Sequence, residues 1–408
     1  MCLNIVLVIK VQVSLFMGID LTMRYQVGGS LKYDDSTYIV RQADEQLYTG
    51  LKTGDFCYVF NCHQTGKSSL LHRTIHLLEK ENYICVYLNL ALLGTNQITP
   101  IQWYKGIIFS LFHKLNLTKQ VNFKSWWEQQ SELDPVQRLY QFVEQVLLRE
   151  VQNNRIFIFI DNINSLLSLN FPANDFLIWI SYCYEQQAYK PSFQRLGFAL
   201  FGVASPSNLI VGRHRTPFNI GQAIKLCDFQ LHEVMTLVEG LEKVVSQPQA
   251  ILAYIIHWTR GQPFLTQKLC QLVVQVALES YKGTITIPKG TEGYWVEQLV
   301  RSRIIQHWEF QDEPEHLRTI RDRLLFDEHK AGKLLNIYQR VLQVEELRNR
   351  NPIENLIPAD NSEEQTQLFL SGLVGNYNGY LRVKNPIYRS VFTPQWVSRQ
   401  LENLPFSW

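Results

Sequence analysis

Fifteen residues, Phe56 to Leu70, limit what this 408-residue chain can fold into more than any other stretch. They read Phe-Cys-Tyr-Val-Phe-Asn-Cys-His-Gln-Thr-Gly-Lys-Ser-Ser-Leu: an apolar strand, a short loop, and Gly66-Lys67-Ser68-Ser69 at the mouth of a helix. A phosphate needs backbone N–H groups around it, a lysine that reaches its β- and γ-oxygens, a hydroxyl for Mg²⁺ and the positive end of a helix. Gly66 suits the tight turn, Lys67 the phosphates and Ser68 the metal. Asn61, Gln64, Thr65 and Ser69 complete the lining. The opening glycine of G-x-x-x-x-G-K-[ST] is replaced by Asn61. Asparagine tolerates positive φ better than other non-glycine residues, so Asn61 is expected to let the loop close.

Composition excludes several classes. Hydrophobic residues make up 46% and charged residues 19%, which is a globular and not a disordered chain. At this length two or three domains are expected. The net charge of +2 gives no overall pull toward nucleic acid or an anionic membrane. The seven cysteines are odd in number and lack C-x-x-C spacing, which argues against a disulfide framework or zinc. Several lie in apolar runs and read as buried, reduced thiols, implying a reducing, cytoplasmic compartment. Residues 1–22 stand apart: apolar, with Lys10 and Asp20 as their only charges. Lys10 interrupts a potential span, and a signal peptide would need a basic start and an A-x-A site. The preferred reading is a non-functional extension, with a membrane anchor as the alternative.

Strands and helices alternate up to about residue 230. Helices are expected at Asp44–Leu51, after Ser68, from Thr99-Pro100, at Trp126-Trp127 and over Leu139–Leu148. Ile84–Leu90 reads as a buried strand, and Ile156–Asp161 and Phe198–Ala204 as strands buried on both faces, as in the centre of a parallel sheet. That alternation predicts a doubly wound α/β domain with its ligand site at the carboxyl ends of the strands. Lys67, Asp161 and Ser205 all follow strand ends and so can converge. Beyond Gln230 helices are expected at Leu231–Gly240, Pro248–Thr259, from Gly261-Gln262-Pro263 to about Glu279, Val296–Trp308, Glu313–Leu325 and Lys333–Val344. Arg348–Glu363 reads as a polar loop. A small hairpin is expected from Leu368–Leu373, a turn at Asn376–Gly379, and Tyr380–Val383. Helices followed by a hairpin form a winged-helix pattern.

With these motifs in place, the chain resembles the AAA-like, STAND-type P-loop ATPases abundant in cyanobacteria, which are often fused to WD-repeat or other effector modules. The resemblance rests on Tyr25–Leu31, Val40–Asp44, Phe56–Leu70, Ile160-Asp161 with Ser165–Leu167, Gly202–Pro206, Arg215–Ile220, Gly261–Thr266, Arg301–Ile305 and Leu317–Asp322. It implies a P-loop core over 23–230, a helical lid over 231–286 and a winged-helix-like domain over 287–408, working as a nucleotide-controlled switch. It implies ATP or ADP with Mg²⁺ as cofactors. Lys67 would contact the phosphates, and Ser68 and Asp161 would hold the metal. Arg41, Gly28 and Gly29 would line the base, Ser205 would occupy the sensor position, and Pro263 would open the lid helix. Arg215 is a candidate phosphate sensor, with a structural arginine as the alternative. A nucleotide-dependent homo-oligomer is possible in such a family.

One departure bears on catalysis. The family pattern after the carboxylate strand is Asp-Glu-Ile-Asp; here it is Asp161-Asn162-Ile163-Asn164. An amide cannot take a proton, so a general base is missing at Asn162. Binding should survive and hydrolysis should be weak or absent. No repeat module follows within the 408 residues, so the resemblance implies a separate protein effector. Two other readings compete: an active ATPase whose water-orienting residue comes from elsewhere, and a DNA-binding regulator using the winged helix. Residues 301–400 carry 14 Lys/Arg against 13 Asp/Glu. A DNA module normally presents a basic face, so nucleic acid is not the expected partner.

Overall fold

The computed structural model describes residues 25–95, 97–210, 217–348, 356–360 and 362–404. The expected extension at 1–22 and Arg215 lie outside the described residues. The chain divides into two compact units, one made of Arg41–Cys62 and Lys67–Cys227, the other of His63–Gly66 with the described residues up to Val40 and from Asp228 onward.

The first unit is a parallel α/β layer with the P-loop NTPase fold. Its strands are β1 (Cys57–Phe60), β2 (Ile84–Asn89), β3 (Ile156–Asp161), β4 (Leu196–Gly202) and β5 (Gln222–Ala223), in the order β2-β3-β4-β1-β5. Every pairing is parallel. The apolar runs of β3 and β4 explain their central place, since both are buried along their whole length. Alternation divides their side chains between two cores. Ile156, Ile158 and Ile160 face the helices Pro100–Lys114 and Asn174–Gln186, together with Trp103, Ile107, Phe176 and Trp179. Phe157 and Phe159 face the other way, onto Leu47 and Leu51 of Gln42–Thr53 and Leu70, Leu71 and Leu78 of Lys67–Lys80. Each such side chain contributes roughly 1.5–3 kcal/mol by leaving water. The helix at Pro100 starts as its sequence predicts: Thr99 Oγ1 accepts from Gln102 N–H at 3.3 Å, and Thr99 N–H donates to Gln102 Oε1 at 3.0 Å.

The second unit is helical. Its longer helices are Pro248–Thr259, Pro263–Glu279, Glu292–Val300, Leu317–Leu325, Glu328–Arg348, Glu363–Ser371 and Pro394–Asn403. The described N-terminal segment belongs to it. Gln271 Nε2 donates to Tyr25 O at 3.0 Å and Gln267 Nε2 to Thr37 O at 3.0 Å, tying residues 25–37 to the Pro263–Glu279 helix.

Several expected elements differ. Leu368–Leu373 is not a strand but lies at the end of the Glu363–Ser371 helix. Ser362 Oγ caps that helix by accepting from Gln365 N–H, and Gly372 ends it at φ +84°. The hairpin is therefore β6 (Val374–Tyr377) against β7 (Tyr380–Val383), antiparallel, with Asn378 and Gly379 at positive φ. Val296–Trp308 is not one helix: Arg301–Ile305 widens to a π turn and His307 breaks the run at φ +51°. Glu313–Leu325 becomes helical only at Leu317, because Asp312 Oδ2 takes the N–H groups of His316 and Arg318 at 2.7 and 2.8 Å. Leu231–Gly240 is a turn followed by the short helices Val234–Leu237 and Val238–Glu242. Strand β5 has only two residues and is defined by its pairing with Cys57 and Tyr58. Among the described residues no helix is long and apolar enough to cross a membrane.

Candidate functional site

In the first unit the carboxyl ends of four strands line up. Phe60 pairs with Gly202, and Asn89 with Asp161, in parallel register. Lys67 opens the helix that follows β1, Asp161 ends β3, and Ser205 follows β4. Since β4 separates β1 from β3, the lysine strand and the carboxylate strand are two spacings apart, about 10 Å.

Lys67 Nζ lies along its own loop, donating to Asn61 O at 3.1 Å and Cys62 O at 2.5 Å. Ser68 and Ser69 form the next positions of the helix. Asn61 is not in a left-handed conformation, contrary to the sequence expectation; Gln64 at φ +57° and Gly66 at φ +88° make the turn instead. The side chain explains Asn61. Its Nδ2 donates to Leu226 O at 2.7 Å, its Oδ1 accepts from Cys62 N–H at 2.8 Å, and its own N–H reaches Gly202 O at 3.2 Å. A glycine there would surrender two of those three bonds. The Cys62 thiol is buried.

Asp161 is 7% exposed. It accepts from Asn162 N–H at 2.8 Å and from Tyr87 O–H at 3.2 Å, and makes no ion pair among the described residues. Burial and the Asp161 charge push the Tyr87 phenol up to about 12, so it stays a donor. The two asparagines that follow Asp161, Asn162 and Asn164, have structural contacts on opposite sides. Asn162, at φ +55°, donates from Nδ2 to Asn89 Oδ1 of β2 at 3.0 Å. Asn164 Oδ1 accepts from Val203 N–H, just past β4, at 3.2 Å. The turn after β3 thus staples the ends of both neighbouring strands. Ser205 caps the short Pro206–Leu209 helix, accepting from Asn208 N–H at 3.2 Å. Arg41 is buried at the start of Gln42–Thr53 and donates from Nη1 to Cys227 O at 3.2 Å. Sequence reading missed Asn89 and Tyr87. The signal for Asn89 was present: it is the polar residue that ends the strand run Ile84–Leu88.

The second unit holds the remaining candidates: Gly28, Gly29, Gln64, Thr65, Gly66 and Pro263. Gly28 and Gly29 turn at φ +80° and +71°, closed by Gln26 Nε2 donating to Ser30 O at 2.9 Å. Pro263 occupies the first turn of its helix, capped by Gln262, whose Oε1 accepts from Leu265 N–H at 2.6 Å. Gln262 Nε2 donates to Gln64 O at 3.1 Å. Gly261 is required by close approach: it sits at φ +79°, and a Cβ there would fall 1.9 Å from Phe229 O. Gly261→Ala should therefore cost more than about 2 kcal/mol of unfolding free energy, from backbone strain plus that clash. Denaturant titration checks this; a loss under about 0.5 kcal/mol would mean that the Gly261 backbone moves freely.

No group of three or more His, Cys, Asp or Glu suited to a metal is found among the described residues. Mg²⁺ in nucleotide sites is usually held by one or two protein ligands plus phosphates. Asp161 is a buried carboxylate with no ion pair among the described residues.

The comparisons with known proteins agree with this fold. An uncharacterized WD repeat-containing protein of Synechocystis sp. is 46% identical over 380 residues; the match covers 93% of this chain and 31% of that protein. The Walker-type ATPase of Pyrococcus abyssi superposes with a TM-score of 0.52 at 14% identity, covering 90% of this chain and 99% of the other, a likeness of fold. The family model of the AAA-like domain matches residues 26–393, and with that match over most of its length the chain belongs to the AAA-like domain family.

Proposed function

We propose that this protein binds ATP or ADP with Mg²⁺ and works as a nucleotide-controlled switch of STAND type that hydrolyses ATP slowly. The observation that carries this is Asp161: a carboxylate buried at a strand end with no ion pair among the described residues, at the same carboxyl edge of the sheet as a lysine and a hydroxyl at a helix start. Burying an unpaired carboxylate is costly, and a bound Mg²⁺ would offset that cost. Lys67 would hold the β- and γ-phosphates, Ser68 and Asp161 the metal, and the N–H groups of Gln64 to Ser69 the phosphate oxygens. Arg41 would lie toward the base. The metal, when bound, neutralises phosphate charge. Asn89 and Tyr87 keep Asn162 and Asp161 oriented.

Slow turnover follows from Asn162, which can orient water but not accept its proton. The relative supports a switch acting on a second module: the matching region is about a third of a WD repeat-containing chain. A protein effector is the partner this reading implies, and the hairpin with its flanking helices would form a winged-helix module. Calorimetric titration with ADP, with and without Mg²⁺, tests the binding. Micromolar affinity that weakens when Mg²⁺ is removed is expected. Absence of ADP and ATP binding at millimolar concentration would overturn the reading.

A further inference from the structure

Gln64 is the apex of the phosphate-binding loop, and its side chain does not point to a phosphate. Its Nε2 donates to Glu315 O at 2.7 Å and its Oε1 meets His316 Nδ1. His316 Nε2 in turn meets Tyr388 O–H at 2.7 Å. The imidazole is 4% exposed and stacks on Phe264, with ring centres 4.7 Å apart and an interplanar angle of 23°. Asp312 Oδ2 fixes the His316 backbone.

The hydrogen bonds set the protons. Gln64 Nε2 faces a carbonyl, so its amide oxygen faces the histidine. His316 Nδ1 must then carry the hydrogen, and Nε2 accepts from Tyr388. Burial, with the Lys268 charge beside it, holds the imidazole down to about 3, so this neutral form persists through the physiological range. Every polar atom of the ring is satisfied, which makes the arrangement rigid.

We propose that His316 is a positioning residue for the phosphate-binding loop: backed by Tyr388, it holds Gln64 at φ +57° and so aims the loop N–H groups that precede Lys67. The helix Leu317–Leu325, which begins next to His316, and the helix Pro386–Val391, which carries Tyr388, are thereby made sensitive to whether phosphate is bound. This rests on the phosphate-binding reading above.

Four variants separate positioning from packing. His316→Asn keeps a nitrogen where Nδ1 stands and can still meet Gln64. His316→Gln places its amide near Nε2 and cannot. Gln64→Gly removes the side chain while easing the positive φ. The fourth is the Gln64→Gly, His316→Gln double variant. Affinities for ADP and for inorganic pyrophosphate are measured by calorimetry, with thermal unfolding alongside. Losing one hydrogen bond of this kind should weaken both ligands about 10-fold in Gln64→Gly and in His316→Gln. The double variant should be no worse than either, and His316→Asn should stay within about 3-fold of wild type. Wild-type affinity in folded Gln64→Gly would overturn the inference, as would single effects that multiply in the double variant. If the wild type binds neither ligand, the phosphate-binding reading fails and takes this one with it. If the wild type binds and the variants bind equally well, the positioning role alone fails.

Discussion

Lys67→Ala should weaken ADP and ATP binding by at least about 100-fold. A charge-assisted hydrogen bond contributes about 1.5–3 kcal/mol, and one ammonium serving two phosphates reaches that factor. Lys67 is the one lysine or arginine between Asn61 and Ser69. Its Nζ already rests on the carbonyls of Asn61 and Cys62, at the loop's own opening. The helix Lys67–Lys80 is held by Leu70, Leu71 and Leu78 in the core, so the alanine variant should fold normally. Unchanged ADP affinity by calorimetry would remove Lys67 from the site.

Asn162→Glu should raise ATP turnover about 100-fold or more, since a positioned general base contributes about 10²–10⁴. The structure adds a cost to that gain. Glutamate at φ +55° is strained by roughly 1 kcal/mol. Its carboxylate would also face Asn89 Oδ1, which now accepts from Asn162 Nδ2 and from Ala91 N–H. Higher turnover with a lower melting temperature is therefore the expected pair of results. Asn61→Gly is the control: it removes the bonds to Leu226 O and Cys62 N–H without adding a base. Robust wild-type turnover with no gain in the glutamate variant would mean that another group positions the water. A gain in the glycine variant alone would mean that loop geometry limits the reaction. Binding without hydrolysis in both variants would make the protein a nucleotide-gated scaffold.

The sequence by itself determined what depends on neighbours along the chain. The runs Ile156–Asp161 and Phe198–Ala204 read as buried strands, and Gly66-Lys67-Ser68 marked a helix start. Thr99-Pro100 and Gln262-Pro263 announced their helices through a proline in the first turn. Tertiary structure decided what depends on partners far away in sequence. Strand β5 exists only because Cys57 and Tyr58 offer it a ladder, and two residues carry no periodicity to read. Leu368–Leu373 looked like a strand because a short apolar run does not distinguish a half-buried helix end from a strand; Ser362 and Gly372 settled it. Asn61 stood in for glycine through a side-chain bond to Leu226, 165 residues away, and not through its backbone. Asn162 and Asn164 reach opposite neighbouring strands, and His316 finds Gln64 across 252 residues. Local periodicity reports which face of an element is buried. It carries no information about which distant carbonyl or amide a buried polar side chain will meet, because that pairing is set only when the layers pack.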